Sequence, residues 1–318
     1  MGFYIGMDIG GTKCSVTLAE GENASIIGKT AFATLPERGH EAIISQLVSS
    51  AQNLIEQNGI DKSSLISCGV SCGGPLDPVK GVILGPPNLP GWSCVPLADI
   101  LSEKLGIPCL VRNDADACAL AEWKFGAGKG CENMIFLTFG TGMGAGLILG
   151  GRLYSGSSGT AGEVGHVRLE GNGPVGYGKA GSFEGFCSGG GIEKLAEMML
   201  SEYEGETALK SSALTAKDVA EAARKGDALA LRIYRVCGDR LGKGLAVLID
   251  ILNPEKIIIG SVYARACDLL CESMRASLER EALGINLSAC EILPAGLGES
   301  IGDYAALGVA ALFERKES

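Results

Sequence analysis

GMDIGGTKCSVTLAE, residues 6–20, places an aspartate near the end of an apolar run and follows it with a glycine-rich turn and a second apolar run. A Walker A phosphate loop requires the order Gly-Lys-Ser/Thr before a helix, and here Thr12 precedes Lys13. The residues after the turn alternate between apolar and polar, which is typical of a strand. The stretch therefore predicts a β-hairpin with Asp8 close to its turn.

The same pattern recurs once, in ENMIFLTFGTGMGAGLILGGRLY, residues 132–154, where an apolar strand meets Gly140-Thr141-Gly142 and a second apolar strand follows. Consecutive backbone N–H groups in such turns can bind an anion. We interpret the repeat as two hairpins that face each other across a cleft and hold a polyphosphate. Two alternatives stay open: the glycines serve only a positive φ, and Asp8 caps its own turn.

Strands and helices alternate along the first 130 residues, and the chain after residue 186 is mostly helical. The pattern predicts strands at 65–74, 108–114, 256–260 and 290–296, and helices at 38–57, 96–106, 114–126, 215–226, 239–253, 262–281 and 303–316. This alternation favours an α/β fold. No low-complexity linker is visible, so we place the domain boundary at Asn113-Asp114.

Composition excludes several classes of function. The net charge is −10 and the sequence pI is about 4.9, without a cluster of Lys and Arg, which argues against a nucleic-acid-binding surface. Neither a signal peptide nor a membrane-spanning run is visible, so we expect a cytoplasmic protein. The twelve cysteines form no CxxC motif, and although Cys267 and Cys271 lie one helical turn apart, we favour reduced core thiols over a disulfide or metal framework.

Five motifs together resemble the ROK family of sugar kinases and sugar-responsive regulators, and the resemblance spans nearly the whole chain. In order, they are DIGGTK (8–13), PNLPGW (87–92), NDADACALAE (113–122), FGTGMGAG (139–146) and GEVGH (162–166). The resemblance implies an α/β protein with the actin-like ATPase (ribonuclease H-like) fold, in which two α/β domains close around a nucleotide and sugar cleft. The smaller domain would comprise 1–113 plus about 303–318, and the larger 114–302.

The resemblance also implies the reaction: ATP-dependent phosphorylation of a hexose, with Asp114 as the general base toward the acceptor hydroxyl. Asp114 lies where a predicted strand ends and a helix begins, which is where open α/β sheets place ligands. An ordinary helix N-cap is the alternative role for this aspartate. The implied sugar contacts are Asn88, Asn113, Asp114, Glu163, His166 and Glu184.

The implied ATP contacts lie in the two glycine turns and at the end of a later strand. They are Asp8, Gly10, Gly11, Thr12, Lys13, Gly140, Thr141, Gly142 and Gly260. Asp8 sits among apolar neighbours, where a buried charge is costly, and a hydrated Mg²⁺ would compensate it. Family members usually end this later strand with two glycines, whereas this chain has Gly260-Ser261.

One departure from the family concerns a structural zinc, which many relatives bind through a histidine and a C-x-C-G-x-x-G-C-x-E stretch. The three thiol positions are Val175, Tyr177 and Ser182 here. Structural zinc sites use four ligands, and His166 alone cannot form one. We expect a zinc-free protein in which packing of Val175, Tyr177 and Phe183 holds the loop over about 170–186 and a hydrogen bond orients His166.

Two other functions stay open beside the hexose kinase. A sugar-sensing regulator of the same family would need its own helix-turn-helix domain, and the first strand already begins by Phe3. An actin-fold ATPase with another role gives no reason for the set of sugar contacts. The expected partners are a sugar and ATP, without nucleic acid or membrane, in a homodimer. Which hexose is phosphorylated stays open.

Overall fold

The computed structural model describes residues 2–209 and 214–313 of the 318-residue chain, which divides into two compact α/β units. The first unit comprises residues 2–130, 153–161 and 299–313, and the second comprises 131–152, 162–209 and 214–298. The helix that begins at Asp114 belongs to the first unit, because the last helix of the chain, which begins at Ile301, packs on it. A boundary at residues 113 and 114 stays a prediction.

A five-stranded sheet lies at the centre of the first unit, in the order β3-β2-β1-β4-β8. Its strands are β1 (Phe3–Ile9), β2 (Lys13–Glu20), β3 (Ser25–Ala33), β4 (Leu65–Cys72) and β8 (Cys109–Arg112). β1, β4 and β8 are parallel to one another, whereas β2 is antiparallel to both of its neighbours. The carboxyl ends of the three parallel strands therefore meet at one edge of the sheet.

Helices cover both faces of this sheet, and the strand alternation decides which residues they meet. Ile5 and Met7 belong to one core with α1 (Gly39–Gln57) and α2 (Leu97–Leu105). Tyr4 faces the other side, where α10 (Ile301–Ala310) packs on β1, β4 and α3 (Asp114–Phe125).

Gly69 allows α10 to lie directly on β4. A Cβ at this position would overlap the carbonyl oxygen of Ala306, so only glycine fits. Ser67 on the same strand donates a 2.8 Å hydrogen bond from Oγ to the carbonyl of Ala310. The C-terminal helix is therefore fixed to the central strands of the first unit.

A second, smaller antiparallel sheet follows β4 and consists of β5 (Leu76–Asp77), β6 (Val82–Leu84) and β7 (Ser93–Val95). The sequence did not predict it, because strands of two or three residues are too short to show an alternating pattern.

The second unit has a four-stranded sheet in the order β10-β9-β13-β14. Its strands are β9 (Met134–Phe139), β10 (Met143–Ile148), β13 (Lys256–Ile259) and β14 (Glu291–Pro294). β9, β13 and β14 are parallel. The remaining elements are the hairpin β11 (Val175–Gly176) and β12 (Lys179–Ala180), and the helices α4 (Phe183–Phe186), α5 (Gly189–Ser201), α6 (Ala216–Arg224), α7 (Ala228–Leu252), α8 (Val262–Glu281) and α9 (Gly284–Ala289).

Both predicted hairpins are confirmed, since β1 pairs with β2 and β9 with β10 in antiparallel register. The predicted helix at 215–226 forms as α6, and Thr215 caps it in a capping box with Asp218. Helix α7 begins at Ala228 instead of 239, because Asp227 supplies an earlier N-cap. The last predicted helix forms over Ile301–Ala310, and its predicted end at 316 lies outside the described residues.

The expectation that all cysteines are free thiols is wrong for one pair. Cys267 and Cys271 form a disulfide within α8, because residues four apart lie on one face of a helix. The other ten cysteines are free, and most are buried. Within the described residues, no helix combines the length and apolar character needed to cross a bilayer.

Candidate active site

Two acidic residues lie at the edge where β1, β4 and β8 end. Asp8 is paired in register with Ser71 of β4, and Ser71 with Arg112 of β8, two residues before Asp114. The side chain of Asp8 is hydrogen-bonded to Ser71, and the charge of Asp114 acts on it. The parallel register thus brings both predicted acidic residues together.

Asp114 does not cap α3. The N-cap is Asn113, whose Oδ1 accepts a 2.8 Å hydrogen bond from the backbone N–H of Asp116. The alternative role of Asp114 as a helix N-cap is therefore wrong, and its carboxylate is exposed at the first helical position. The cap uses Oδ1 of Asn113.

The pKa of the Asp8 carboxyl is raised to about 6, first by burial and then by the charge of Asp114. Removal from water also raises the pKa of Asp114, although this side chain reaches solvent. The bond from Ser71 and the charge of Lys13 act in the opposite direction on Asp8. Both carboxyl groups thus have a raised pKa, and such a pair is suited to hold a proton or a cation.

Asn88 completes the candidate residues of the first unit. A Cβ at Gly11 would lie 2.9 Å from the backbone oxygen of Asn88, so the glycine turn and the PNLPGW segment touch. Thr34, which the sequence did not single out, donates from Oγ1 to the carbonyl of Gly10 at 2.6 Å. Its backbone N–H donates to the carbonyl of Thr12, and so the turn is fixed from both ends.

None of the glycines in the two turns has a positive φ. The alternative that they serve only to allow a positive φ is therefore wrong. Gly10, Gly11 and Gly142 instead allow close approach, whereas a Cβ at Gly140 would make only an ordinary van der Waals contact. A Cβ at Gly142 would lie 2.8 Å from Oε2 of Glu184.

Glu184 links the turn of the second unit to the GEVGH segment. Its Oε2 accepts a 3.0 Å hydrogen bond from the backbone N–H of Met143, directly after the turn. A Cβ at Gly165 would overlap the carbonyl oxygen of Met143 and lie 3.2 Å from Cβ of Glu184. Glu163 and His166, which flank this glycine, are both exposed. The three predicted sugar contacts of this unit therefore lie around one short stretch of backbone.

The end of β13 lies beside the same turn. Gly260 donates from its backbone N–H to the carbonyl of Leu137 at 3.0 Å, and Oγ of Ser261 would lie 3.8 Å from a Cβ at Gly140. Ser261 has φ 57° and ψ −114°, a conformation that favours glycine. The hydroxyl of Ser261 does not cap α8. A capping hydrogen bond therefore does not compensate for the strained backbone conformation.

The loop between His166 and Glu184 is not held as the sequence predicted. Phe183 is buried as expected, but Val175 is 44% exposed and Tyr177 is 82% exposed. The expected packing of these two side chains is wrong, because both stand on a hairpin that turns outward. Polar contacts hold the loop instead, and they include Ser182 Oγ to the carbonyl of Gly176 and Lys194 Nζ to the carbonyl of Val175.

Charged side chains add to these contacts. Glu170 of the loop forms ion pairs of 2.8 Å with Lys243 and 3.0 Å with Arg240, both on α7. Arg168 donates to the carbonyl of Ala180 at 2.6 Å. The loop is therefore attached to α7 through charge and to itself through backbone carbonyls.

We predict that Asp8→Asn stabilises the fold above pH 6. A folded pKa of about 6 against 3.8 in the unfolded chain means that the cost of ionising Asp8 in the fold grows between about pH 4 and pH 6 and is fully present above pH 6. The free energy of unfolding should rise by up to about 2 kcal/mol at pH 8, and the gain should vanish below about pH 4. Denaturant unfolding across this pH range measures it, with the exposed Asp99→Asn as control; equal gains at both pH extremes would contradict the prediction.

A second stability prediction concerns Ser261. Ser261→Gly should raise the free energy of unfolding by roughly 0.5–2 kcal/mol, because glycine adopts the observed φ and ψ without strain. Ser261→Ala keeps the strain and should bring no gain. Thermal unfolding of the two variants measures the difference, and a stabilising Ala variant would refute this account of the backbone.

Comparison with known proteins agrees with the motifs. Residues 4–316 match the ROK family. Glucokinase from Halalkalibacterium halodurans is 35% identical over 308 residues, which cover 94% of this chain and 92% of that protein. The DNA-binding transcriptional dual regulator NagC from Escherichia coli is 30% identical, and the match covers 88% of this chain and 68% of the regulator.

A solved relative extends the comparison to the fold. The structure of a ROK family glucokinase from Streptomyces griseus, in complex with glucose and AMPPNP, has a TM-score of 0.76 and 31% identity, and covers 98% of this chain and 100% of that one. The predicted actin-like ATPase fold is confirmed by this similarity.

Proposed function

The chain belongs to the ROK family, and on that premise we propose that it transfers a phosphoryl group from ATP to a hydroxyl of a hexose, with Asp114 as general base. The enzyme class is confirmed by relatives that match along almost their whole length: the chain is an ATP-dependent sugar kinase. The observation that supports the role of Asp114 is its release from helix capping, which Asn113 performs.

The first unit supplies the base and its surroundings. Asp114 is exposed, and its raised pKa makes the carboxylate a better proton acceptor than an ordinary aspartate. In our proposal it orients the acceptor O–H and takes the proton late, since phosphoryl transfer depends mostly on positioning and charge stabilisation. Asn88 and Asn113 supply amide groups that donate to and accept from sugar hydroxyls.

The second unit supplies Glu163, His166 and Glu184 as the remaining sugar contacts in this proposal. Carboxylates accept from hydroxyl donors, and an imidazole can do either. Because Glu184 already accepts from the N–H of Met143 through Oε2, its other oxygen remains for the sugar.

The nucleotide contacts proposed are the two glycine turns, with Asp8, Thr12, Lys13 and Gly260. Mg²⁺ fits this chemistry, since the partly buried Asp8 carboxylate resists ionisation and a hydrated cation would compensate its charge. The bound ion would neutralise developing charge on the transferred phosphoryl group. Asp8 would hold it through water.

The test is a coupled assay of ADP release over glucose, mannose, fructose, allose and their N-acetylamino relatives. Turnover of at least one hexose is expected. The match to NagC keeps a sugar-sensing regulator as the second candidate, and sugar binding without ADP release would favour it.

For the base itself, Asp114→Asn should lower kcat by roughly 10²–10⁴, because the amide keeps the shape but accepts no proton. Sugar affinity, measured by calorimetry, should remain close to that of the wild type. A variant that retains more than about a tenth of wild-type turnover would show that another group is the base.

We also propose that the enzyme works without a structural zinc. The residues do not fit the metal: Val175, Tyr177 and Ser182 replace the thiols, and the described residues contain no group of three potential ligands. Cys187, the nearest thiol along the chain, donates to the carbonyl of Cys237 in the core. Elemental analysis of protein purified without chelator should give far less than one zinc per chain; a stoichiometric content would overturn the proposal.

A further inference from the structure

The hairpin β11–β12 has a two-residue turn, Tyr177-Gly178, and both residues have a positive φ, 42° and 77°. Such a turn matches the twist of a hairpin and favours Asn-Gly. A tyrosine at its first position is disfavoured, because a bulky side chain in the left-handed region is strained. The tyrosine at position 177 is therefore a residue that lowers the stability of the turn.

The tyrosine ring instead contacts His166. The ring of Tyr177 is mostly exposed, yet it lies edge-on to the imidazole, with the centroids 6.2 Å apart and the planes at 78°. This is a favourable aromatic arrangement. From the same hairpin, Lys179 Nζ donates a 2.7 Å hydrogen bond to the backbone carbonyl of His166.

The backbone on both sides of His166 is already fixed by other contacts. Gly165 lies tightly against Met143, and the carbonyl of Val167 accepts a 2.8 Å hydrogen bond from Phe183. The groups of His166 that these contacts leave unrestrained are its carbonyl and its exposed ring. The hairpin contacts those two groups.

We propose that Tyr177 and Lys179 are positioning residues that hold the His166 imidazole in its sugar-binding orientation. This inference rests on the proposed function, in which His166 binds the hexose. A side chain fixed before binding loses less conformational freedom when the ligand arrives, so the pair should act on sugar affinity and leave turnover unchanged.

Two pairs of variants separate this role from simple support of the hairpin. Tyr177→Asn suits the turn better but removes the ring, whereas Tyr177→Phe keeps the ring. Lys179→Met removes the donor and keeps the apolar stem, whereas Lys179→Arg keeps a donor. Lys194→Met is the matched control, since Lys194 makes an equivalent 2.6 Å bond to the carbonyl of Val175 in the same hairpin.

The KM for the best hexose of the panel should rise about threefold to tenfold in Tyr177→Asn and Lys179→Met, the range expected for the loss of one aromatic pair or one hydrogen bond. The kcat and the KM for ATP should stay within about twofold, and Tyr177→Phe and Lys179→Arg should restore the KM. Tyr177→Asn should be at least as stable as the wild type, which a purely structural role of the tyrosine would not give.

NMR gives a readout that does not depend on turnover. The chain has two histidines, His40 and His166, so the ring signals are readily assigned, with His40 as internal reference. The ring-current shift that Tyr177 causes on His166 should weaken in Lys179→Met and persist in Lys194→Met.

The outcomes separate the two claims. If wild-type protein turns over no hexose, the proposed function fails, and the NMR comparison still decides whether the hairpin holds His166. If a hexose is turned over but Tyr177→Asn and Lys179→Met raise its KM no more than Lys194→Met does, the inference fails and the proposed function stands. Persistence of the ring-current shift in Lys179→Met would overturn the role of Lys179 directly.

Discussion

The burial of the Asp8 carboxyl at the end of β1, close to Asp114, is the constraint on which the candidate site of the first unit depends. Three parallel strands end at one edge, and this topology brings a carboxylate from β1 close to one from the start of α3. Removal of the Asp8 carboxyl from water raises its pKa most, and the charge of Asp114 adds to this effect. The hydroxyl of Ser71 donates to Asp8 and partly offsets both effects. A site that resists ionisation in this way is destabilising for the free protein and suited to a cationic or protonated ligand.

The second unit meets a different requirement, because Val175 and Tyr177 in the loop before Glu184 are exposed and add little apolar packing. Several lysine and arginine side chains donate to backbone carbonyls of this loop, and Glu170 pairs with α7. Each such contact contributes only about 1 kcal/mol, since the partners also interact well with water. The loop is therefore held by many weak contacts, and the loss of any one of them should shift a side chain without unfolding the unit.

Much of the fold could be predicted from the sequence, because the strands of both hairpins are long enough to show alternation and the turns between them are rich in glycine. The small sheet β5–β7 and the hairpin β11–β12 could not be predicted, since strands of two or three residues are too short to show an alternation of apolar and polar residues. The exposure of Val175 and Tyr177 was missed for a related reason: apolar residues in a short loop suggest packing, and only the folded structure shows that both side chains face solvent. Among the site residues, Ser71 lies in β4 and Thr34 directly after β3, and both were missed because such a hydroxyl gives no functional signal until the register of the strand is known.

Glu184 shows how one side chain can connect two segments within the second unit. Its Oε2 is bound to the N–H that follows the Gly140–Gly142 turn, and its Cβ lies against the glycine between Glu163 and His166. Any displacement of the turn must therefore be transmitted to the carboxylate, and any displacement of the carboxylate to the GEVGH segment. Because protein interiors are closely packed and deform little, we expect the turn and the GEVGH segment to move together in this unit. Glycine at 142 and 165 is what permits this contact, since a side chain at either position would separate the carboxylate from the turn or the segment from the strand.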